Sequence, residues 1–140
     1  MKSAARPLVS TRAVTLRSLI DSGPLHAYTE SAASDKNLFH LLAVKWLRAV
    51  ATQIGEDPKE VTSNRAGIAV SGEISLNGRN VYVRLAAYGT PHECGLVRAG
   101  GAQGRYHCER KNHVLPAECL NDVGKAVAWI QGVIGEEMFL

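Results

Sequence analysis

The chain has no apolar segment long enough to cross a lipid bilayer, which takes about 18 consecutive apolar residues. No run within its 140 residues approaches that length. Residues 1–20 also lack the continuous apolar stretch of a secretion signal. We therefore expect a protein without a membrane span, and we expect it in the cytoplasm.

Cysteine is scarce, with three in the chain and no Cys-x-x-Cys pair among them. An odd number of cysteines without a secretion signal indicates reduced thiols and not a disulfide framework. A chain of this length can bury roughly two thirds of its unfolded surface. We expect it to fold without a disulfide, a structural metal or a cofactor.

The sequence lacks the dense basic patch of a dedicated DNA-binding protein. Lys and Arg together number 16 against 13 Asp and Glu, and the formal net charge is +3. That charge permits an anionic partner without requiring one. The first acidic residue is Asp21. Residues 1–11 are predicted to be a flexible basic arm, and residues 12–140 a single globular domain.

Two helices are predicted in the first part of the chain. The first covers residues 11–20 and is followed by a Gly-Pro pair that ends it. The second follows Ser34 as N-cap and ends at Ile54, directly before Gly55. Its apolar residues cover most of the circumference, which predicts a central helix packed on more than one side. His40 lies at the edge of this apolar surface, and we interpret it as a packed, hydrogen-bonded histidine.

Alternating apolar and polar residues on both sides of Asn77 and Gly78 predict a β-hairpin. Apolar residues occupy alternate positions in 68–76 and again in 81–85. A two-residue turn at Asn77 and Gly78 would pair Leu76 with Arg79. The apolar sets of both strands would then share one face of the sheet.

A second hairpin is predicted from residues 94–99 and 104–110, with a glycine-rich loop at its tip. If Ala99 pairs with Gly104, Val97 shares one face with Tyr106 and Cys108, and the opposite face carries Leu96, Arg98, Arg105 and His107. The register of this hairpin is weakly specified because the loop is long.

A closing helix is predicted from Pro116, with apolar residues at helical spacing between residues 120 and 134. The order of elements is then ααββββα. This order predicts an α+β, two-layer domain in which a four-stranded antiparallel meander packs on the helices.

Residues 92–113 hold most of the histidines and cysteines of the chain. A structural zinc site usually takes four convergent ligands that come as two closely spaced pairs. His92, Cys94, His107 and His113 do not show such spacing. We predict no metal site and no catalytic residue, while a metal- or thiol-dependent enzyme centred on residues 92–113 remains an alternative.

The polar face of the predicted sheet combines aromatic rings with cations. Tyr and Arg are the residues that dominate protein-docking hot spots. Sheets that bind single-stranded nucleic acid also stack bases on such rings and hold phosphates with Arg. We predict a small non-enzymatic interaction protein, a regulator or inhibitor that docks on a protein partner, with a nucleic-acid-binding module as the alternative. The predicted partner-binding residues are Tyr82, Arg84, Arg98, Arg105, His107 and Arg110.

Overall fold

The computed structural model describes residues 15–22, 33–65, 72–86, 94–100 and 111–138. The α-helices of these residues are α1 (Leu16–Ser22), α2 (Ala33–Ile54) and α3 (Val123–Met138), and the 3-10 helices are Pro58–Glu60 and Ala117–Asn121. The strands are β1 (Val61–Asn64), β2 (Glu73–Asn77), β3 (Val81–Ala86), β4 (Gly95–Ala99) and β5 (His113–Val114). The predicted basic arm, residues 1–11, lies outside the described residues.

The fold is α+β, as predicted, with helices packed on an antiparallel sheet. Among the described residues, the sheet has five strands in the order β1-β2-β3-β4-β5, and each strand is antiparallel to its neighbour. Two short strands thus extend the meander, one before β2 and one after β4. Within the described part of the chain, no helix is long and apolar enough to span a bilayer.

Helix α2 is the centre of the core, as its apolar circumference predicts. It packs against α1, α3, β1 and β2. Its residues Phe39, Leu47 and Val50 are fully buried. Trp46 donates its indole N–H to the carbonyl oxygen of Cys119 at 3.0 Å, which satisfies the one polar atom of that buried ring.

His40 is packed and hydrogen-bonded, as interpreted from the sequence. Only 2% of it is exposed, and its Nδ1 lies 2.6 Å from Oγ of Ser63 on β1. This bond ties α2 to the first strand.

Helix boundaries follow local capping. The backbone N–H of Ser18 donates to Oγ1 of Thr15, and the N–H of Thr15 donates to Oγ of Ser18, both at 3.0 Å. This reciprocal cap begins α1 at Leu16, later than predicted, while residues 11–14 lie outside the described residues. The predicted closing helix is divided into the 3-10 helix Ala117–Asn121 and α3. Asp122 lies between them and caps α3, because its Oδ1 accepts the N–H of Lys125 at 3.0 Å.

The predicted turn at Asn77 and Gly78 is wrong. Asn77 pairs with Tyr82, so the chain turns at Arg79 and Asn80, two residues later than predicted. The displacement is even, and even displacements keep every side chain on its original face. The predicted apolar face therefore stands, whereas the pairing of Leu76 with Arg79 does not. Residues 66–71, which include the start of the predicted strand, lie outside the described residues.

A buried carboxylate explains the position of the turn. Glu56 accepts the backbone N–H of Arg79 on Oε1 and that of Asn80 on Oε2, each at 2.9 Å. A Cβ atom on Gly78 would lie 2.7 Å from Cδ of Glu56. Gly78 is therefore needed for this close approach, and it has no positive φ.

Glu56 is positioned by the C-terminus of α2. Gly55 has φ of 83°, and the Glu56 N–H donates to the carbonyl of Ala51 at 2.9 Å. The N–H of Gly55 donates to the carbonyl of Thr52 at 3.4 Å. This pair of bonds is a Schellman cap, and it directs the chain from the helix toward the hairpin.

The predicted pairing of the second hairpin is also wrong where it can be compared. Leu96 pairs with Val114 of β5, whereas the prediction paired it with His107. Leu115 sets this register. Its N–H donates to the carbonyl of Gly95 at 2.9 Å, and its side chain, 1% exposed, fills the space where a Cβ of Gly95 would lie. The predicted strand 104–110 lies outside the described residues.

Truncation of the core should destabilise the fold strongly. Leu47→Ala and Val83→Ala each remove a fully buried side chain, and we expect losses of about 2–4 kcal/mol from lost burial and a cavity. Leu41→Ala on the same helix is the control, because Leu41 is 66% exposed and should cost less than about 0.5 kcal/mol. Urea unfolding measures all three. Equal losses at positions 41 and 47 would contradict the assignment of the core.

Loss of the Glu56 carboxylate should destabilise the turn between β2 and β3. Glu56→Ala removes the acceptor of the Arg79 and Asn80 N–H groups. We expect the free energy of unfolding to fall by about 1–3 kcal/mol. Glu56→Gln keeps one acceptor oxygen and should cost less. Glu60→Ala, an exposed acid nearby, is the matched control and should be neutral in the same urea titration. A neutral Glu56→Ala variant would show that the turn forms without this anchor.

Candidate functional site

The polar face of the sheet carries the predicted site. In β3 the residues Val81, Val83 and Leu85 are fully buried, whereas Tyr82 and Arg84 are partly exposed. The same alternation in β4 leaves Leu96 and Arg98 partly exposed. We call this surface the outer face. Its described members on β3, β4 and β5 are Tyr82, Arg84, Leu96, Arg98 and Val114.

Tyr82 and Arg98 lie directly opposite each other on β3 and β4. The guanidinium carbon of Arg98 lies 5.2 Å from the centre of the Tyr82 ring, a cation–π contact. On its other side, Nε of Arg98 donates to Oδ1 of Asn112 at 2.8 Å. Asn112 immediately precedes β5, so three neighbouring segments hold one guanidinium in place.

This arrangement limits what the Tyr82 ring can bind. One face of the ring is covered by the Arg98 guanidinium, so a nucleic-acid base cannot stack there without displacing the arginine. The bond to Asn112 uses Nε of Arg98, and an arginine carries further N–H donors that suit a carboxylate or carbonyl.

Arg84 lies beside this pair in a row that crosses the sheet. Its cross-strand neighbours are Ser75 on β2 and Leu96 on β4, and Leu96 in turn faces Val114 on β5. Val114 is 54% exposed. The outer face therefore places an arginine next to two apolar side chains.

Glu73 ends the outer face on β2, opposite Ala86. Its Oε2 atom is buried and accepts no hydrogen bond from the described residues. In the register of β2 and β3, the residue directly opposite Arg84 is Ser75.

The structure brings three of the six predicted binding residues together, namely Tyr82, Arg84 and Arg98. Arg105, His107 and Arg110 lie outside the described residues. His92 and His107, two of the four residues considered as metal ligands, also lie outside the described residues. Within the described part of the chain, no group of three or more His, Cys, Asp or Glu side chains is arranged to hold a metal ion.

The two described cysteines, Cys94 and Cys119, are buried and are not in a disulfide. Burial raises the pKa of the Cys119 thiol, and the neighbouring carboxylates of Glu118 and Asp122 raise it further. A thiol whose pKa is raised stays protonated at neutral pH and is a poor nucleophile. Cys119 is therefore a core residue.

A second surface did not emerge from the sequence. Leu41, Val44, Lys45 and Arg48 lie on one side of α2, next to Ser63 of β1, around an open groove. Their spacing of three, four and seven residues from Leu41 is the available signal, because such residues share a helix face. The same spacing also occurs where a helix packs into the core, so the sequence alone does not distinguish an exposed groove from a buried helix face.

No family model, curated protein or solved structure matches this chain. Its function must therefore be argued from the chemistry of its own surfaces.

The Tyr82–Arg98 contact should be measurable as a coupling energy. In a double-mutant cycle with Tyr82→Leu and Arg98→Met, we expect about 0.5–1 kcal/mol, as for a partly exposed cation–π pair. A control cycle with Tyr82→Leu and Arg48→Met joins residues on different surfaces and should give about zero. Urea unfolding supplies the free energies. A Tyr82–Arg98 coupling as small as the control would contradict the contact.

Proposed function

We propose that this protein is a small, non-enzymatic interaction protein that docks on a protein partner through its outer face. The observation that carries the proposal is the Tyr82–Arg98 pair, with Arg98 held by Asn112. Tyr and Arg supply large contact energies at interface centres. Binding orders side chains at a cost of about 0.5–1.5 kcal/mol for each one with many rotamers, and an arginine already held in place avoids part of that cost.

The apolar neighbours of the pair favour a protein over a nucleic acid. Leu96 and the exposed Val114 continue the outer face beyond Arg84. Apolar side chains beside an aromatic and a cation form the centre of a protein interface. A phosphate backbone would use the cations and leave Leu96 and Val114 without a partner.

As part of this proposal, the protein acts as a regulator or inhibitor in the cytoplasm. A docking protein of this size works by occupying a surface of its partner. The thiols of Cys94 and Cys119, which are not in a disulfide, suit a reducing compartment.

Nucleic-acid binding is the second candidate, and one observation favours it. Tyr82, Arg84 and Arg98 lie on adjacent strands of one face, as in sheets that bind single strands. Such binding weakens steeply with salt because phosphate contacts release counterions.

Affinity capture tests the proposal. Wild type, a Tyr82→Ser/Arg98→Glu variant and a Lys59→Glu control would be immobilised and exposed to lysate of the native host, and bound proteins identified by mass spectrometry. We expect a partner that wild type and Lys59→Glu retain. The double variant should bind the purified partner at least about tenfold more weakly, which corresponds to ~1.4 kcal/mol.

The variant must keep its fold for this comparison, and a thermal melt checks it. A partner held equally by the double variant would show that the outer face is the wrong surface. Capture of nucleic acid with strong salt dependence, instead of a protein, would favour the second candidate.

A further inference from the structure

A groove of about 450 Å³ lies between α2 and β1, away from the residues of the outer face. We call it the α2–β1 groove. Its described lining combines apolar and cationic side chains with one hydroxyl group. The lining includes Leu41, Val44, Lys45, Arg48, Ser63 and Arg65.

The apolar part of the groove is unusually accessible. Leu41 is 66% exposed, although it lies on the helix that forms the centre of the core. Val44 follows one turn later on the same side and is partly buried. An exposed leucine continuous with a groove is a feature of docking sites, because a partner's apolar side chain gains contact area there.

The charged part of the groove is entirely positive among the described lining residues. Lys45 and Arg48 are exposed on α2 and are one turn apart, and Arg65 is exposed beyond the end of β1. The three cations surround the apolar pair Leu41 and Val44. Such a site attracts anions and repels cationic segments.

Two hydrogen bonds fix the β1 side of the groove. Nη1 of Arg65 donates to Oδ1 of Asn37 at 2.7 Å, which holds this cation against the first half of α2. Oγ of Ser63 lies 2.6 Å from Nδ1 of the buried His40. Two side chains of the groove therefore already have a hydrogen-bond partner, and ordering them on binding costs less entropy.

The spacing of the cations sets the length of a matching ligand. Asn37, which holds Arg65, and Arg48 are eleven residues apart on α2, a distance of about 16 Å at 1.5 Å per helical residue. An extended chain rises about 3.3 Å per residue, so about five residues reach from one end to the other.

We propose that the α2–β1 groove binds an acidic segment of a partner protein, about five residues long and extended. A central apolar side chain of the segment packs on Leu41 and Val44. Carboxylates on one side of it face Arg65, and those on the other side face Lys45 and Arg48. The apolar contact between the two cationic ends favours an acidic peptide over a nucleic acid, whose backbone has no such group.

The proposal is independent of the outer face, because the two surfaces share no residue. A fluorescein-labelled peptide of sequence EELEE is the probe, and fluorescence anisotropy is the measurement. Two matched peptides separate the contributions: QQLQQ removes the charge, and EESEE removes the apolar anchor. We expect saturable binding of EELEE that weakens with added salt, and about tenfold or weaker binding of each matched peptide.

Variants of the protein locate the site. Leu41→Ser and Lys45→Glu/Arg48→Glu change exposed side chains, so both should melt like wild type and bind EELEE at least about tenfold more weakly. Lys125→Glu, which reverses an exposed charge on α3, should bind normally. Arg98→Glu on the outer face should also bind normally, which keeps this test separate from the test of the proposed function.

Three results would overturn the proposal. Absence of saturable EELEE binding is the first. An equal loss in Lys125→Glu and in the groove variants is the second, because it would mean attraction by overall charge. The third is wild-type self-association in sedimentation that Leu41→Ser abolishes, since the occupant would then be a second copy of this chain.

Discussion

The carboxylate of Glu56 connects the end of the central helix to the turn between β2 and β3. Its two oxygens accept the backbone N–H groups of Arg79 and Asn80, and Gly78 has no Cβ that would block their approach. The Schellman cap at Gly55 delivers Glu56 to this position. Because α2 forms the centre of the core, the turn is attached to an element that packs against two helices and two strands.

This turn sets the register of β2 on β3, and it also contacts the end of β4, because the N–H of Gly100 donates to the carbonyl oxygen of Asn80 at 2.8 Å. With the turn at Arg79 and Asn80, Tyr82 lies between Asn77 on β2 and Arg98 on β4. The register of β5 on the other edge of β4 is fixed separately, because Leu115 packs against Gly95 and donates its N–H to the Gly95 carbonyl. This second constraint brings Asn112 to Arg98. The outer face thus depends on the Glu56 contact at the turn and on the buried contact of Leu115 with Gly95.

The sequence predicted the class of the fold and the faces of its strands, because both follow from hydrophobic periodicity. Alternation in β3 placed Tyr82 and Arg84 away from the core, and the structure agrees. The turn was misplaced because Asn77 and Gly78 match a local hairpin signal, whereas Gly78 is required by a tertiary contact with Glu56. No local pattern contains that contact. The exposure of Leu41 is likewise a consequence of how the neighbouring elements pack around α2, which its helical spacing does not reveal.

The central claim is that the turn held by Glu56 keeps Arg98 stacked on Tyr82. Nuclear magnetic resonance of the arginine Nε–Hε groups measures this contact, since an aromatic ring changes the chemical shift of nearby protons and the bond to Asn112 slows the exchange of Hε. We expect a slowly exchanging Arg98 Hε signal in wild type, away from the ordinary arginine position, and a changed chemical shift in Tyr82→Leu. We also expect it to broaden in Glu56→Ala but not in Glu60→Ala. An ordinary, rapidly exchanging Arg98 signal in wild type, or one unchanged in both Tyr82→Leu and Glu56→Ala, would contradict the account.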